Sequence, residues 1–368
     1  MGPKQSLLLL LGVLLLVCIA LFNAFTVLSL DSKMDKKIDD LKEAARPGKI
    51  QLSVISSDCP GCTDITPLID TIRQSHINIT EEKTLTQQQG ASLIAKYGIT
   101  RLPAIVLEGE IDKISASSFA AKEGGLLYDQ VPAPYYDIQS RDVVGKVEAI
   151  RLEAAACKEC PDMQQIVDTF SDQGVFFSTN AEILAESAQG KQLIAVHKIG
   201  KLPALILSDD VSAYPEILSI MAQGGFRKSG DLHVYESTLP YYNATSKQTR
   251  GLVDLTMISD STCTQCYDVT LHRQILSQFG MTLGEEKKVD ASSAEGKKLI
   301  AKHGITAVPA VVLGGDVSLY TGFDKVWQTV GTIEEDGSYV FRDNTKLGEG
   351  FPYRDLATAE VKNTIPTQ

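Results

Sequence analysis

GASLIAKYGITRLPA occupies residues 90–104, GKQLIAVHKIGKLPA residues 190–204 and GKKLIAKHGITAVPA residues 296–310. Each segment opens on a glycine (Gly90, Gly190, Gly296) and runs through Leu93-Ile94-Ala95, Leu193-Ile194-Ala195 or Leu299-Ile300-Ala301. Each ends on Leu102-Pro103-Ala104, Leu202-Pro203-Ala204 or Val308-Pro309-Ala310, and the glycine-to-proline separation is 13 in all of them. Self-similarity at a near-constant spacing marks a repeated structural unit, and it fixes the architecture before any local reading. Within a copy the pattern reads as a helix, a short turn and a buried strand that starts at the proline. Those strands are Ile105-Val106-Leu107, Leu205-Ile206-Leu207 and Val311-Val312-Leu313.

Upstream lie three pairs of identical spacing, Cys59/Cys62, Cys157/Cys160 and Cys263/Cys266, at 44, 46 and 46 residues before the prolines. The seventh cysteine, Cys18, stands apart, so none remains for a long-range disulfide. An alternating apolar run leads into each pair, from Gly48, Gly145 and Gly251, and reads as a strand. After each pair the period becomes helical: Ile65, Leu68, Ile69, Ile72; Met163, Ile166, Val167, Phe170; and, less regularly, Val269, Ile275, Leu276, Phe279. Downstream of the proline strand come the hairpin signals Gly124-Gly125, Ser229-Gly230-Asp231 and Glu335-Asp336-Gly337. Aromatic corners follow at Pro134-Tyr135-Tyr136, Pro240-Tyr241-Tyr242 and Pro352-Tyr353. The polar tail after Asp355 is expected to form a terminal helix that frays.

A strand, a Cys-x-x-Cys pair opening a helix, a second helix and a strand begun by proline together resemble the thioredoxin fold over about residues 48–357. The tandem arrangement resembles protein disulfide isomerases and two-domain archaeal disulfide oxidoreductases in architecture. The resemblance implies an α/β chain of three thioredoxin-like domains, each a central mixed sheet flanked by helices. It also implies cis peptide bonds before Pro103, Pro203 and Pro309, facing the cysteines. Cys59-Pro60-Gly61-Cys62 looks like the pairs of glutaredoxins and some exported disulfide oxidases. Cys157-Lys158-Glu159-Cys160 and Cys263-Thr264-Gln265-Cys266 match no particular subfamily.

Exchange needs a thiolate, and a helix N-terminus beside the first cysteine would stabilise one through the helix dipole and unpaired N–H groups. Cys59, Cys157 and Cys263 are therefore the expected nucleophiles. Cys62, Cys160 and Cys266 are the expected resolving thiols, one turn further on and more buried. The loops Leu102-Pro103, Leu202-Pro203 and Val308-Pro309 are expected to leave a backbone edge where a substrate chain adds as a strand. The charges of Asp58, Lys158 and Glu159 do not sum to a direction of electron flow.

Other chemistries fit less well. Zinc sites built on such pairs need a second pair within about 15–20 residues, and these lie about a hundred residues apart. Soft-metal binding by exposed thiolates is chemically open. His197 and His303 stand where the first copy has Tyr97, which favours packing over ligation. No phosphate-cradling glycine loop accompanies a strand–helix unit, so no organic cofactor is expected, and the wide spacing of the pairs leaves no resident metal expected. The net charge of -11 excludes a nucleic-acid binder of the usual basic kind.

Residues 6–30 carry no charge and would extend about 37 Å as a helix, enough to cross a bilayer core. A retained transmembrane helix is expected over 6–30, after a short tail at 1–5 and before a helical stalk at 31–47. A cleaved signal is the rival reading. Cys18 reads as an inert membrane cysteine. The basic residues Lys33 to Arg46 favour a cytoplasmic C-terminus by the positive-inside rule. The short N-terminal tail and the sequons at Asn78 and Asn243 favour export, and the extracytoplasmic side is the expectation. Domains are expected over 48–142, 143–248 and 249–357, with a tail at 358–368. The expected function is a single-pass membrane thiol–disulfide oxidoreductase acting on protein cysteines, with a possible membrane redox partner. The alternative is a non-catalytic scaffold, chaperone or soft-metal binder on the same fold.

Overall fold

The computed structural model describes residues 3–114 and 116–364; within the first helix the side chains of 3–11, 13, 24–33 and 35 are also outside the description. Two compact units are present, Met1–Val143 and Val144–Gln368. The first unit holds one repeat and the second holds two.

Unit one begins with α1 (Pro3–Ala45), which carries the 6–30 segment and the stalk. Among the described residues no helix is long and apolar enough to cross a membrane. Much of the expected span has side chains outside the described set. The end of α1 is tied to the repeat: Arg46 Nη1 donates to Glu110 Oε2 at 2.7 Å, and His76 Nε2 lies 3.0 Å from the Ala45 carbonyl.

The repeat itself runs β1 (Gly48–Ser56), α2 (Thr66–Gln74), β2 (Ile77–Thr86), α3 (Ala91–Tyr97), β3 (Arg101–Leu102), β4 (Ala104–Gly109), β5 (Ala120–Lys122), β6 (Gly125–Tyr128), β7 (Tyr135–Asp137) and β8 (Asp142–Val144). Its main sheet has the order β2-β1-β4-β6-β5. β1 and β2 are parallel, joined by the α2 crossover, and the remaining pairs are antiparallel. Because side chains alternate along a strand, β4 feeds two cores. Ile105 and Leu107 join Ile69 and Ile72 of α2 on one face. Ala104 and Val106 join Tyr97, Ile99 and Leu102 on the other, with Leu93 and Ile94 of α3 against them. A helix thus covers each face of the sheet.

Unit two repeats the plan twice. The second repeat comprises β9 (Val147–Glu153), α4 (Gln164–Asp172), β10 (Phe177–Leu184), α5 (Ala188–His197), β11 (Lys201–Leu202), β12 (Ala204–Ser208), α6 (Pro215–Gln223), β13 (Arg227–Ser229), β14 (Leu232–Glu236), β15 (Tyr241–Asn243) and β16 (Gln248–Arg250). The third comprises β17 (Leu252–Ser259), α7 (Leu271–Gln278), β18 (Thr282–Asp290), α8 (Ala294–His303), β19 (Ala307–Val308), β20 (Ala310–Gly315), α9 (Phe323–Trp327), β21 (Gly331–Ile333), β22 (Tyr339–Phe341), β23 (Tyr353–Asp355) and β24 (Val361–Lys362). Sheet orders β10-β9-β12-β14-β13 and β18-β17-β20-β22-β21 match the first repeat. The three glycine-centred hairpins fall where the sequence placed them.

The repeated glycine has a steric cause. A Cβ on Gly190 would collide with the Leu184 carbonyl oxygen, and one on Gly296 with that of Asp290. The same glycines donate to the helix-capping hydroxyls Ser187 Oγ and Ser293 Oγ, both at 2.9 Å. The tail differs from expectation. Instead of a fraying helix, Val361–Lys362 forms β24, pairing with Tyr353 and Arg354 of β23. This tail closes the three-stranded sheet β19-β23-β24, as β3-β7-β8 and β11-β15-β16 close the other repeats.

Candidate active site

Each cysteine pair stands in the loop after the first strand of its repeat and is closed as a disulfide, with Cα separations of 5.4, 5.5 and 5.4 Å. In the first repeat Cys62 N–H donates to the Cys59 carbonyl at 3.1 Å, folding the pair into a tight turn. In the third, Cys266 N–H does so to Cys263 at 3.3 Å. The disulfide Cys59–Cys62 lines a groove of about 460 Å³ together with Val54, Ile65, Arg73, Thr84 and Pro103. In the second repeat Cys160 Sγ lies 3.6 Å from the Leu202 carbonyl, and in the third Cys266 Sγ lies 3.9 Å from that of Val308. The bonds Leu102–Pro103, Leu202–Pro203 and Val308–Pro309 are all cis. So in the second and third repeats the second sulfur meets the residue before the expected proline, and in the first the disulfide shares its groove with Pro103. Each stands on a sheet whose parallel pair is joined by the helix that follows the cysteines. Each repeat is a thioredoxin-like unit.

Two expectations about these thioredoxin-like units fail. The first concerns the helix. α2 starts at Thr66, α4 at Gln164 and α7 at Leu271, so the cysteines lie ahead of the helices rather than on them. An aspartate two residues past each second cysteine closes a turn between the pair and the helix. Asp64 Oδ1 accepts from Thr66 N–H at 2.9 Å, Asp162 Oδ1 from Gln164 N–H at 2.8 Å and Asp268 Oδ1 from Thr270 N–H at 3.0 Å. The cap residues themselves, Ile65, Met163 and Thr270, make no side-chain capping bond. Because the helices start seven or eight residues past the first cysteines, and a helix dipole fades within one turn, the dipole does not reach those sulfurs, contrary to expectation. The hydrogen bonds from Thr66 hold the Asp64 carboxyl below its usual range, and those from Thr270 do the same for Asp268.

The second failure concerns the edge beside the proline. β3 is not open: Leu102 pairs with Tyr136 and Arg101 with Asp137 of β7. Leu202 pairs likewise with Tyr242, and Val308 with Arg354. The corner strand of each repeat occupies the site expected for a partner chain.

Burial distinguishes the copies. Cys59, Cys62, Cys157, Cys160 and Cys266 are partly exposed, whereas Cys263 is 7% exposed. The expected order, an exposed first sulfur and a shielded second one, is therefore reversed in the third repeat. Its loop is also tied down. Arg354 Nη1 donates to Asp260 Oδ2 at 2.6 Å and to Thr262 Oγ1 at 2.7 Å, just before Cys263. Burial alone would push the Asp260 carboxyl up, but the bonds from Thr262 and the Arg354 charge bring it below its usual range. On the far side, the Tyr267 hydroxyl meets His272 Nε2 at 3.1 Å, the Pro309 carbonyl at 3.2 Å and Asn344 Oδ1 at 3.0 Å. Burial lowers the His272 imidazole to about 4 and raises the Tyr267 phenol, so both stay neutral. The position of Tyr267 directly after Cys266 was the available signal for this network.

The second repeat has its own buried charge. Glu153 ends β9 four residues before Cys157, and its Oε1 has no hydrogen-bond partner. Burial raises this carboxyl, and the nearby Glu182 adds to the effect. His197 Nδ1 lies 3.0 Å from Ser229 Oγ and His303 is buried in packing. Among the described residues no three His, Cys, Asp or Glu side chains form a metal-binding group. Cys18 is exposed on α1.

No protein-family model and no curated protein matches the chain. Solved structures do. ERdj5 (form II) is 12% identical, covers 73% of this chain and 38% of its own, and gives a TM-score of 0.17. An N-terminal domain of alkylhydroperoxide reductase AhpF from Enterococcus faecalis is 13% identical, covers 48% of this chain and 89% of its own, with a TM-score of 0.17. Human ERp44 is 11% identical over 84% of this chain and 95% of its own, with a TM-score of 0.15. The chain thus spans about two-fifths of the length of ERdj5. The thioredoxin-like reading rests on the chain's own sheet order and cysteine placement.

Proposed function

We propose that the chain is a membrane-anchored thiol–disulfide oxidoreductase that acts on protein cysteines through Cys59/Cys62 and Cys157/Cys160. The observation that carries this reading is a partly exposed Cys-x-x-Cys disulfide set beside a cis-proline loop: Cys59–Cys62 shares a groove with Pro103, and Cys160 Sγ meets the Leu202 carbonyl. In the reduced pair, the Cys59 thiolate attacks one sulfur of a partner disulfide, and the partner's other sulfur leaves as a thiolate. Cys62, deprotonated in turn, attacks the mixed disulfide at Cys59. That releases the partner dithiol and re-forms Cys59–Cys62. Every step is reversible, so the potential sets the direction.

The late start of the helices supports the reducing direction. Strong oxidants owe their poise to a stabilised thiolate in the reduced form. Here the helices begin seven residues past Cys59 and Cys157, beyond the reach of a dipole that fades within one turn. For Cys263–Cys266 a structural or binding role is the better reading, because Cys263 is buried and its loop is held by Arg354. The uncharged 6–30 segment supports the anchor, with the repeats on the extracytoplasmic side. The test is reduction of insulin by the pre-reduced full chain. Cys59→Ser and Cys157→Ser together should abolish it and Cys263→Ser should not. Full activity in the variant lacking all three first cysteines would remove the enzymatic reading.

A further inference from the structure

We infer that every repeat closes its own proline edge, so that a partner cysteine must reach the disulfide from a loop or chain tip rather than within an added strand. The inference rests on the redox reading above and names the shape of substrate it admits.

The hydrogen-bond phase decides the matter. In an antiparallel pair, residues that exchange both main-chain bonds alternate with residues that exchange none. Ile138 N–H donates to the Thr100 carbonyl at 2.9 Å. The next bonded pair along the register is Leu102 with Tyr136. The other phase would require an N–H at residue 103, and proline has none. Both main-chain groups of Leu102 are therefore taken by Tyr136. The same bonds recur from Ala244 N–H to Gly200 and from Leu356 N–H to Thr306, both at 2.9 Å. They fix Leu202 on Tyr242 and Val308 on Arg354.

These are the carbonyls that Cys160 and Cys266 face, so the closed edge and the sulfurs share one surface. Further ties hold the corner. Thr63, next after Cys62, donates through N–H to the Pro134 carbonyl at 2.8 Å and through Oγ1 to that of Pro132 at 2.8 Å. Tyr267 N–H donates to Pro352 at 2.9 Å in the third repeat. In the second repeat the equivalent residue is Pro161, which has no N–H to give. The second corner lacks this tie and is the one to test.

Cys18, Cys59, Cys62, Cys263 and Cys266 are replaced by serine in the full chain, leaving Cys157/Cys160, and the pair is pre-reduced. Two probes are compared: glutathione disulfide, and an extended Val/Thr peptide whose central cysteine is capped by 2-nitro-5-thiobenzoate. Cys157 attacks the peptide sulfur, coloured thiobenzoate leaves, and Cys160 then releases the peptide thiol. Tyr242→Pro deletes the N–H that closes the edge. The expected result is a rise of about fivefold to tenfold in the peptide-to-glutathione rate ratio, the worth of one main-chain hydrogen bond. An unchanged ratio overturns the inference while leaving the redox reading intact. Exchange with neither probe removes the redox reading, and the inference with it.

A second measurement does not depend on the proline variant folding. Cys160→Ser traps the peptide on Cys157, and amide hydrogen exchange is followed at Leu202 and Tyr242. Unchanged protection at both supports a closed edge. Release of Tyr242 with Leu202 still protected would show that the peptide had taken the strand's place and overturns it.

Discussion

Replacing Asp162 by alanine should weaken the second repeat without altering its sulfur chemistry. Asp162 Oδ1 accepts the N–H of Gln164, the first residue of α4, at 2.8 Å. Loss of such a bond costs about 1 kcal/mol, or roughly 2–4 °C in a cooperative unit of this size. An Asn side-chain oxygen accepts the same bond, so Asp162→Asn should recover most of the loss. Urea unfolding of the three proteins reads both numbers. The same samples, once reduced, are alkylated with iodoacetamide at pH 7. The helix begins seven residues beyond Cys157, and the dipole fades within one turn. Removing a screened surface carboxylate changes the thiolate population little, so the alkylation rates of Cys157 and Cys160 should move by less than about threefold. A tenfold acceleration in Asp162→Ala would show that the helix end acts on the sulfur after all. That would refute the reading that α4 starts too far from Cys157 for its dipole to reach the sulfur.

Further outcomes follow from the same geometry. Gly190→Ala forces a Cβ onto the Leu184 carbonyl and should cost about 1–3 kcal/mol of stability by denaturant unfolding. The Glu153 carboxyl is raised in the folded state, so stability should fall as pH climbs through the ordinary carboxylate range, near 4 to 5. Glu153→Leu should flatten that slope and, by removing an unpartnered buried oxygen, gain about 1–3 kcal/mol at pH 7. In the reduced protein, mass spectrometry should find Cys263 modified last, behind Cys266, because Cys263 alone among the six is buried. Arg354→Ala, which frees the loop at Asp260 and Thr262, should speed Cys263 more than Cys266.

The repeat architecture was legible because its marks are imposed by contacts within short stretches. Gly190 and Gly296 admit no side chain against the preceding strand. The apolar run after each proline alternates between two cores. The expectation that the cysteines face Pro103, Pro203 and Pro309 comes from the resemblance to the thioredoxin fold, the prolines being placed by matching position in the repeats. What the sequence hid is set at a distance or by competition between neighbours. Asp64, Asp162 and Asp268 look like ordinary loop residues until their N–H partners are seen. The match of Leu102 to Tyr136 spans 34 residues and depends on register, which periodicity does not reveal. The burial of Cys263 follows the tertiary packing of its loop, while its spacing to Cys266 is identical to that of the exposed pairs. The polar end of the chain carried no helical or strand period, and β24 forms there by pairing with β23.

Equilibration of the full chain in glutathione buffers of graded potential, with acid quench and mass-resolved thiol labelling, addresses the central claim most directly. Reversible two-electron transitions at Cys59/Cys62 and Cys157/Cys160 while the protein remains folded, with potentials nearer -270 than -120 mV, are the predicted result. Disulfides that open only when the repeats unfold would contradict it.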